Sequence, residues 1–143
     1  MAESDEGFGG IADDVWERLH ERAVEAKANA YAPYSDFDVG AALLTEDDEI
    51  FIGANVEQAS IGGTVCAERT AVVSAVTHGH RSFKAICVVT DSAEPTAPCG
   101  FCRQTLGEFG LELPILMASS NGEREFTTLH EIFPRAFVRI EDD

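Results

Sequence analysis

Thr64-Val-Cys-Ala-Glu-Arg69 opens an apolar helical pattern at Ala67, Ala71, Val72, Ala75 and Val76, which leads on to the strand-like run Ala85-Ile-Cys-Val-Val89. Pro98-Cys-Gly-Phe-Cys-Arg103 opens a second helical stretch, followed by the apolar Pro114-Ile-Leu-Met-Ala118. Strands this apolar have both faces covered, and strand-helix-strand units of this kind build a sheet with parallel pairs and helices packed on it. Upstream, Val39–Leu44 and Ile50–Ala54 flank the acidic turn Glu46-Asp-Asp48 and form a hairpin whose strands are too continuously apolar for a one-faced sheet. Residues 11–30 carry Ile11, Val15, Leu19 and Ala23 at four-residue spacing with acids between them, an amphipathic helix. Downstream, Asn121-Gly122 marks a turn, Glu123–Phe126 a last edge strand, and Leu129–Phe133 a short helix.

The expectation is a three-layer α/β/α sandwich around a mixed five-stranded sheet. Its inner helices lie near 65–79 and 99–109 and its middle strands near 85–90 and 114–118. One domain spans residues 1–143, with 1–10 and 139–143 frayed. A chain of 143 residues buries about two-thirds of its unfolded surface, enough for a full core. No repeat, low-complexity tract or linker interrupts it.

Cys66, Cys99 and Cys102 carry the chemistry. Three thiolates hold a zinc ion on three sides and leave the fourth position open, and Glu68, two residues from Cys66, can move protons there. If Pro98 opens its helix, Cys99 and Cys102 fall on one side of the first turn, where unpaired N–H groups favour thiolate over thiol. Two helix N-termini then meet at one cation. A redox Cys-x-x-Cys pair would leave Cys66 and Glu68 without a role, and a purely structural zinc site would need a fourth ligand from elsewhere. Cys87, inside the apolar strand, reads as buried filler. His20, His78, His80 and His130 stand apart from the motifs, and none is assigned to the metal.

At these residues the chain resembles the cytidine deaminases of the small, homo-tetrameric kind. The general pattern of zinc deaminases is a ligand-x-Glu followed by Pro-Cys-x-x-Cys, with all-cysteine ligation as one variant. The similarity extends from about residue 13 to 138. It includes Tyr34-Ser-Asp-Phe-Asp-Val-Gly-Ala-Ala42, Gly53-Ala-Asn-Val-Glu-Gln-Ala-Ser60, Cys66-Ala-Glu-Arg-Thr-Ala71, Pro98-Cys-Gly-Phe-Cys-Arg-Gln104 and Ile132-Phe-Pro-Arg-Ala-Phe137.

The resemblance implies zinc-dependent hydrolytic deamination of cytidine or deoxycytidine to the uracil nucleoside and ammonia, in pyrimidine salvage, with one zinc per subunit. Glu68 would carry protons to ring N3 and to the departing amine. Asn55 and Glu57 would hold the ribose hydroxyls, and Ala67 would offer its backbone N–H to the pyrimidine carbonyl. Phe37 would flank the base, and Phe137 would reach in from a neighbouring subunit of a homotetramer whose active sites lie at the interfaces. Arg69 would hydrogen-bond thiolate sulfur and offset the charge of three thiolates, and Arg103 is a second candidate for that task. Ile61 departs from the family, many of whose members carry a tyrosine there, and leaves the preference between cytidine and deoxycytidine open. The rivals are a deaminase of the same fold acting on another cytosine-containing molecule, such as a nucleoside antibiotic, and a non-enzymatic zinc-stabilised binding module.

Charge narrows the substrate. With 10 Lys and Arg against 26 Asp and Glu, the net charge is −16 and the pI about 4.4. Such a surface repels phosphate backbones, which argues for a free nucleoside and against nucleic acid. No apolar run approaches a membrane span, and the start Met-Ala-Glu-Ser-Asp-Glu-Gly is acidic where a signal peptide is basic, so the expected setting is the cytoplasm. The acids are spread along the chain while lysine occurs only at Lys27 and Lys84. That distribution reads as adaptation to high salt, where a Debye length of roughly 3 Å at 1 M removes self-repulsion. The expected outcome is a melting temperature that climbs as KCl is added, by thermal denaturation across a salt series; a flat or falling curve would refute the halophilic reading.

Overall fold

In the computed structural model, which describes residues 7–138, the chain forms five strands and four helices. Helix α1 (Asp13–Lys27) precedes the hairpin β1 (Val39–Thr45) and β2 (Ile50–Ala54). Then come α2 (Ala67–Thr77), β3 (Phe83–Thr90), α3 (Gly100–Gly107), β4 (Pro114–Ser119), β5 (Arg124–Thr128) and the single turn α4 (Leu129–Ile132). The strands form one sheet in the order β2-β1-β3-β4-β5. Only β3 and β4 pair in parallel, with Ile86 opposite Ile115 and Thr90 opposite Ser119; the other three pairings are antiparallel. The mixed five-stranded sheet and the helices on its two faces agree with the sequence expectation.

The layers follow from the two-residue period of the strands. Ala42, Leu44, Ala85, Cys87, Val89, Leu116 and Ala118 point to the face covered by α1, where they meet Trp16, Leu19 and Ala23. Their neighbours Ala41, Leu43, Ile86, Val88, Ile115 and Met117 point to the other face, against Ala71, Val72 and Ala75 of α2, Leu106 of α3 and Leu129 of α4. This double burial is why β1, β3 and β4 read as unbroken apolar runs. Cys87 is fully buried, and burial pushes its thiol up to about 12.

Boundaries depart from the sequence reading where distant contacts intervene. Helix α1 stops at Lys27 rather than near residue 30, because Tyr31 is drawn into a bridge with Val56 and its N–H donates to the Asn55 carbonyl. The last strand starts at Arg124 and runs to Thr128, where a capping box with Glu131 starts α4. Residues 8–10 are not frayed: they form a 3-10 turn in which Phe8 stacks on Phe126 at 5.0 Å and its carbonyl accepts from Trp16 Nε1. Residues 1–6 and 139–143, also expected to fray, lie outside the described residues.

Two glycines set how closely the helices lie on the sheet. A Cβ at Gly40 would stand 2.1 Å from the Ala23 carbonyl of α1, and one at Gly53 would stand 2.5 Å from the Ala67 carbonyl and 2.6 Å from the Ala71 nitrogen of α2. Backbone packs on backbone at both points, and at Gly53 the contact falls on the first turn of α2. Gly53→Ala is therefore expected to cost roughly 3 kcal/mol in denaturant melts, the upper end for overpacking. Gly62→Ala, where a Cβ meets open space, should stay within about 0.5 kcal/mol of the parent.

Candidate active site

The edge of the sheet where β2 and β3 end, beside the start of β1, is where α2 and α3 begin. Cys66 is the N-cap of α2 and Cys99 the N-cap of α3, both with extended backbone (ψ 155° and 174°). Pro98 therefore precedes the cap instead of opening the helix. The extended cap at Cys99 keeps its side chain beside the first turn, into which Cys102 projects one turn later. No side chain caps either N-terminus, so the first-turn N–H groups and the positive end of each helix dipole are left to the sulfur atoms and whatever binds beside them.

The sulfurs converge. Cys66 Sγ lies 3.7 Å from Cys99 Sγ, Cys99 Sγ lies 3.4 Å from Cys102 Sγ, and all three fall within 4.8 Å of one another. Thiolates bound tetrahedrally to zinc at about 2.3 Å stand about 3.8 Å apart, so the spacing fits a zinc ion. All four cysteines are free thiols. Among the described residues this is the one group of three or more His, Cys, Asp or Glu side chains able to hold a metal, and no histidine belongs to it.

Glu68, in the first turn of α2, is 5 % exposed, and its Oε1 accepts from the Cys102 thiol at 3.6 Å. Burial pushes its carboxyl above the ordinary range, and the Cys66 thiolate beside it pushes the same way. The Cys66 thiol is lowered by hydrogen bonding from Cys102 and by Arg69, whereas Cys102 is raised by the neighbouring Cys66 thiolate and by burial. Arg69 places Nη2 3.9 Å from Cys66 Sγ while donating to the Thr64 carbonyl at 2.8 Å, and its guanidinium lies over the Phe101 ring. Arg103, the second candidate for offsetting thiolate charge, has its Nη1 donating to the Ile132 carbonyl at 2.6 Å, and no hydrogen bond from it to sulfur is present among the described residues.

A cleft of about 440 Å³ opens over Cys66, Glu68 and Cys99, lined by Ser35, Phe37, Asn55, Glu57, Ala67 and Thr90 among others. Asn55 and Glu57 are both buried, and both are already engaged. Asn55 Nδ2 donates to the Phe37 carbonyl at 2.8 Å and its Oδ1 accepts from the Val39 N–H at 2.9 Å. Glu57 Oε1 accepts from the N–H groups of Tyr34 and Ser35, and Oε2 from the Ser35 hydroxyl. That hydroxyl and those amides hold the Glu57 carboxyl below its ordinary range. Each side chain keeps spare capacity: one amide hydrogen and one lone pair on Asn55, further lone pairs on Glu57.

The sequence-predicted residues Phe37, Asn55, Glu57, Cys66, Ala67, Glu68 and Cys99 thus line one cleft, with Cys102 beneath it. Phe137 does not line it; the side chain is 71 % exposed on its own chain. Ile61 lies in an exposed 3-10 turn, Ile61–Gly63. Ser35, Thr64, Thr90 and Thr96 were not singled out from the sequence, yet they supply hydroxyls to the walls. A larger recess of about 520 Å³ lies at the far end of the sheet, near Phe83, Phe109 and Pro114, and contains none of the clustered sulfurs.

Residues 14–118 match the family model described as the cytidine and deoxycytidylate deaminase zinc-binding region. The chain is 46 % identical over 124 residues to the cytidine deaminase of Sporosarcina psychrophila, covering 86 % of this chain and 91 % of that protein. It is 43 % identical over 121 residues to the cytidine deaminase of Halalkalibacterium halodurans, covering 84 % and 92 %. The crystal structure of cytidine deaminase from Burkholderia pseudomallei superposes with a TM-score of 0.82 at 46 % identity, over 85 % of this chain and 98 % of that one.

The chemistry of the four cysteines separates cleanly. In the zinc-loaded native protein an aromatic disulfide reagent should find no fast-reacting thiol, because metal-held sulfurs and Cys87 are both protected. After chelation at pH 8, Cys66 and Cys99 should react, while Cys87 and Cys102, both fully buried and both raised, wait for denaturant. More than two thiols reacting before denaturant would contradict that burial.

Proposed function

The chain belongs to the cytidine and deoxycytidylate deaminase zinc-binding family, and on that footing we propose that it hydrolyses cytidine and deoxycytidine to uridine and deoxyuridine with release of ammonia. The observation that carries the mechanism is the buried Glu68 carboxyl, 3.6 Å from Cys102 Sγ and in the wall of a cleft of nucleoside size.

Cys66, Cys99 and Cys102 hold the zinc ion. Bound there, zinc supplies Lewis acidity, bringing the acidity of water close to neutral pH. Three thiolates dampen that acidity, and Arg69 restores part of it by drawing charge from Cys66 Sγ. The Glu68 carboxylate takes the proton of the water that attacks C4 of the cytosine ring and passes it to N3. It then takes the remaining proton from the C4 hydroxyl and delivers it to the amino group, so that the C4–N bond breaks, the C4 carbonyl forms and ammonia leaves. A carboxyl raised by burial is suited to this, since it gives up its proton less readily than an ordinary one and is basic enough to accept it. The Ala67 N–H, at the start of α2, is offered to the pyrimidine carbonyl.

Asn55 and Glu57 hold the ribose hydroxyls with their remaining capacity. Because the backbone of residues 34–39 already fixes both side chains, they meet the sugar without losing rotamer freedom. Phe37 packs against one side of the base. Phe137, exposed and outside its own cleft, is assigned to a neighbouring subunit's cleft, which makes the working form an oligomer, a homotetramer with two-fold axes. The cytoplasm and pyrimidine salvage are the setting that fits a nucleoside substrate, and no described helix is long and apolar enough to cross a membrane.

Ammonia release from cytidine, deoxycytidine, a cytidine nucleotide and a cytosine-containing antibiotic tests the substrate class; the nucleosides should turn over and the nucleotide should not. Glu68→Gln should lower turnover roughly 10⁴-fold, the upper range for a proton shuttle, with one zinc per chain retained. Turnover within about tenfold of the parent would remove Glu68 from the chemistry. Arg69→Gln should turn over more slowly at full zinc content, and an unchanged rate would dismiss its part in tuning the metal.

A further inference from the structure

Helix α3 presents Cys102 to the metal cluster, and the next two residues, turned by about 100° each around the helix, face elsewhere. Both donate to main-chain carbonyls of the C-terminal segment: Arg103 Nη1 to Ile132 at 2.6 Å and Gln104 Nε2 to Phe137 at 2.7 Å. Between these anchors Phe133 packs on the same helix, its ring 3.4 Å from where a Cβ would stand at Gly107. Arg135 adopts a left-handed backbone (φ 54°), which turns the path of the segment. No main-chain to main-chain hydrogen bond ties residues 134–138 to the rest of the described chain. The side-chain donors of α3 therefore do what a strand ladder does elsewhere.

We propose that Gln104, together with Arg103, is a positioning residue that aims the C-terminal segment, and with it Phe137, into the active site of a neighbouring subunit. The inference rests on the assignment of Phe137 to that site. Gln104 bonds the carbonyl of Phe137 itself, so it restrains the backbone from which the exposed ring projects and leaves the ring free to enter another chain's cleft. A half-buried amide on the helix that carries two metal ligands thereby links the order of one subunit's metal site to the shape of the next subunit's pocket.

The test is steady-state deamination of cytidine by the zinc-loaded oligomer. Gln104→Glu keeps the shape but replaces the donor with an acceptor facing a carbonyl. It should raise KM roughly tenfold, about the worth of one hydrogen bond, with kcat within about twofold, because the ring binds ground and transition states alike. Zinc content and oligomer mass should be unchanged. Gln104→Lys, which regains a donor, should return KM toward the parent value. Assemblies mixing Gln104→Glu chains with Glu68→Gln chains should recover the parental KM, since the competent sites then receive intact segments from their inactive neighbours.

A parental KM for Gln104→Glu, or a KM still raised in the mixed assemblies, overturns the proposal. Should Gln104→Glu fail to assemble, Gln104→Ala in the same assays serves in its place. Mixing Phe137→Ala with Glu68→Gln chains reads the underlying assignment separately. Recovery of KM there upholds the trans contact whatever Gln104 does, and no recovery places the fault in that assignment.

Discussion

Everything in this molecule depends on two helix N-termini brought to one point above the sheet edge. Each start contributes a cysteine as its N-cap, so the backbone leaves the helical region where the sulfur must turn toward its partners. Three sulfurs at this spacing repel one another as thiolates, and only a cation, the helix dipoles and the Arg69 guanidinium offset that repulsion. The α2 start can be placed so tightly because Gly53 lets the helix backbone rest on β2. The sheet supplies rigidity, and the metal cluster uses it.

The Asn55 and Glu57 side of the cleft is built on a different logic. Asn55 and Glu57 are buried polar groups, and buried polar groups are costly unless paired. Here they are paired before any substrate arrives, by the main chain of residues 34–39 and by the Ser35 hydroxyl. Under the proposed function, the hydroxyls of a nucleoside would add to a satisfied network. A substrate with one hydroxyl fewer loses a bond without stranding an unpaired carboxylate, so the penalty for a deoxyribose is smaller than isolated side chains would impose. This arrangement, together with the apolar Ile61, suits a site that accepts both sugars.

Most of the fold was legible because it is written in local periods. The apolar runs of β1, β3 and β4 and the four-residue spacing of α1 need no distant information, and the metal cluster was marked by spacing alone. What escaped lies in contacts between residues far apart in the chain. Ser35 meets Glu57 across 22 residues, and nothing near either announces the pairing. Tyr31 ends α1 early through its bridge to Val56. Arg103 follows Cys102 and its sequence position leaves its partner open; one residue of helix turns it by about 100°, and its Nη1 reaches the Ile132 carbonyl 29 residues on. Phe8, which looked like part of a loose terminus, is stacked on Phe126 in a strand more than a hundred residues on.

The uneven spacing of the three sulfur ligands also bears on the order in which the chain folds. Cys99 and Cys102 are three residues apart, whereas Cys66 lies 33 residues from Cys99. Closing the longer loop costs about 2 kcal/mol more in chain entropy by the logarithmic length rule. The local pair is thus brought together at lower entropic cost than the pair that includes Cys66. Recruiting Cys66 then requires α2 to find its seat on β2, so the third sulfur reports that the two strand-helix-strand units have docked correctly. Metal affinity and the docking of the two units are therefore coupled through Cys66.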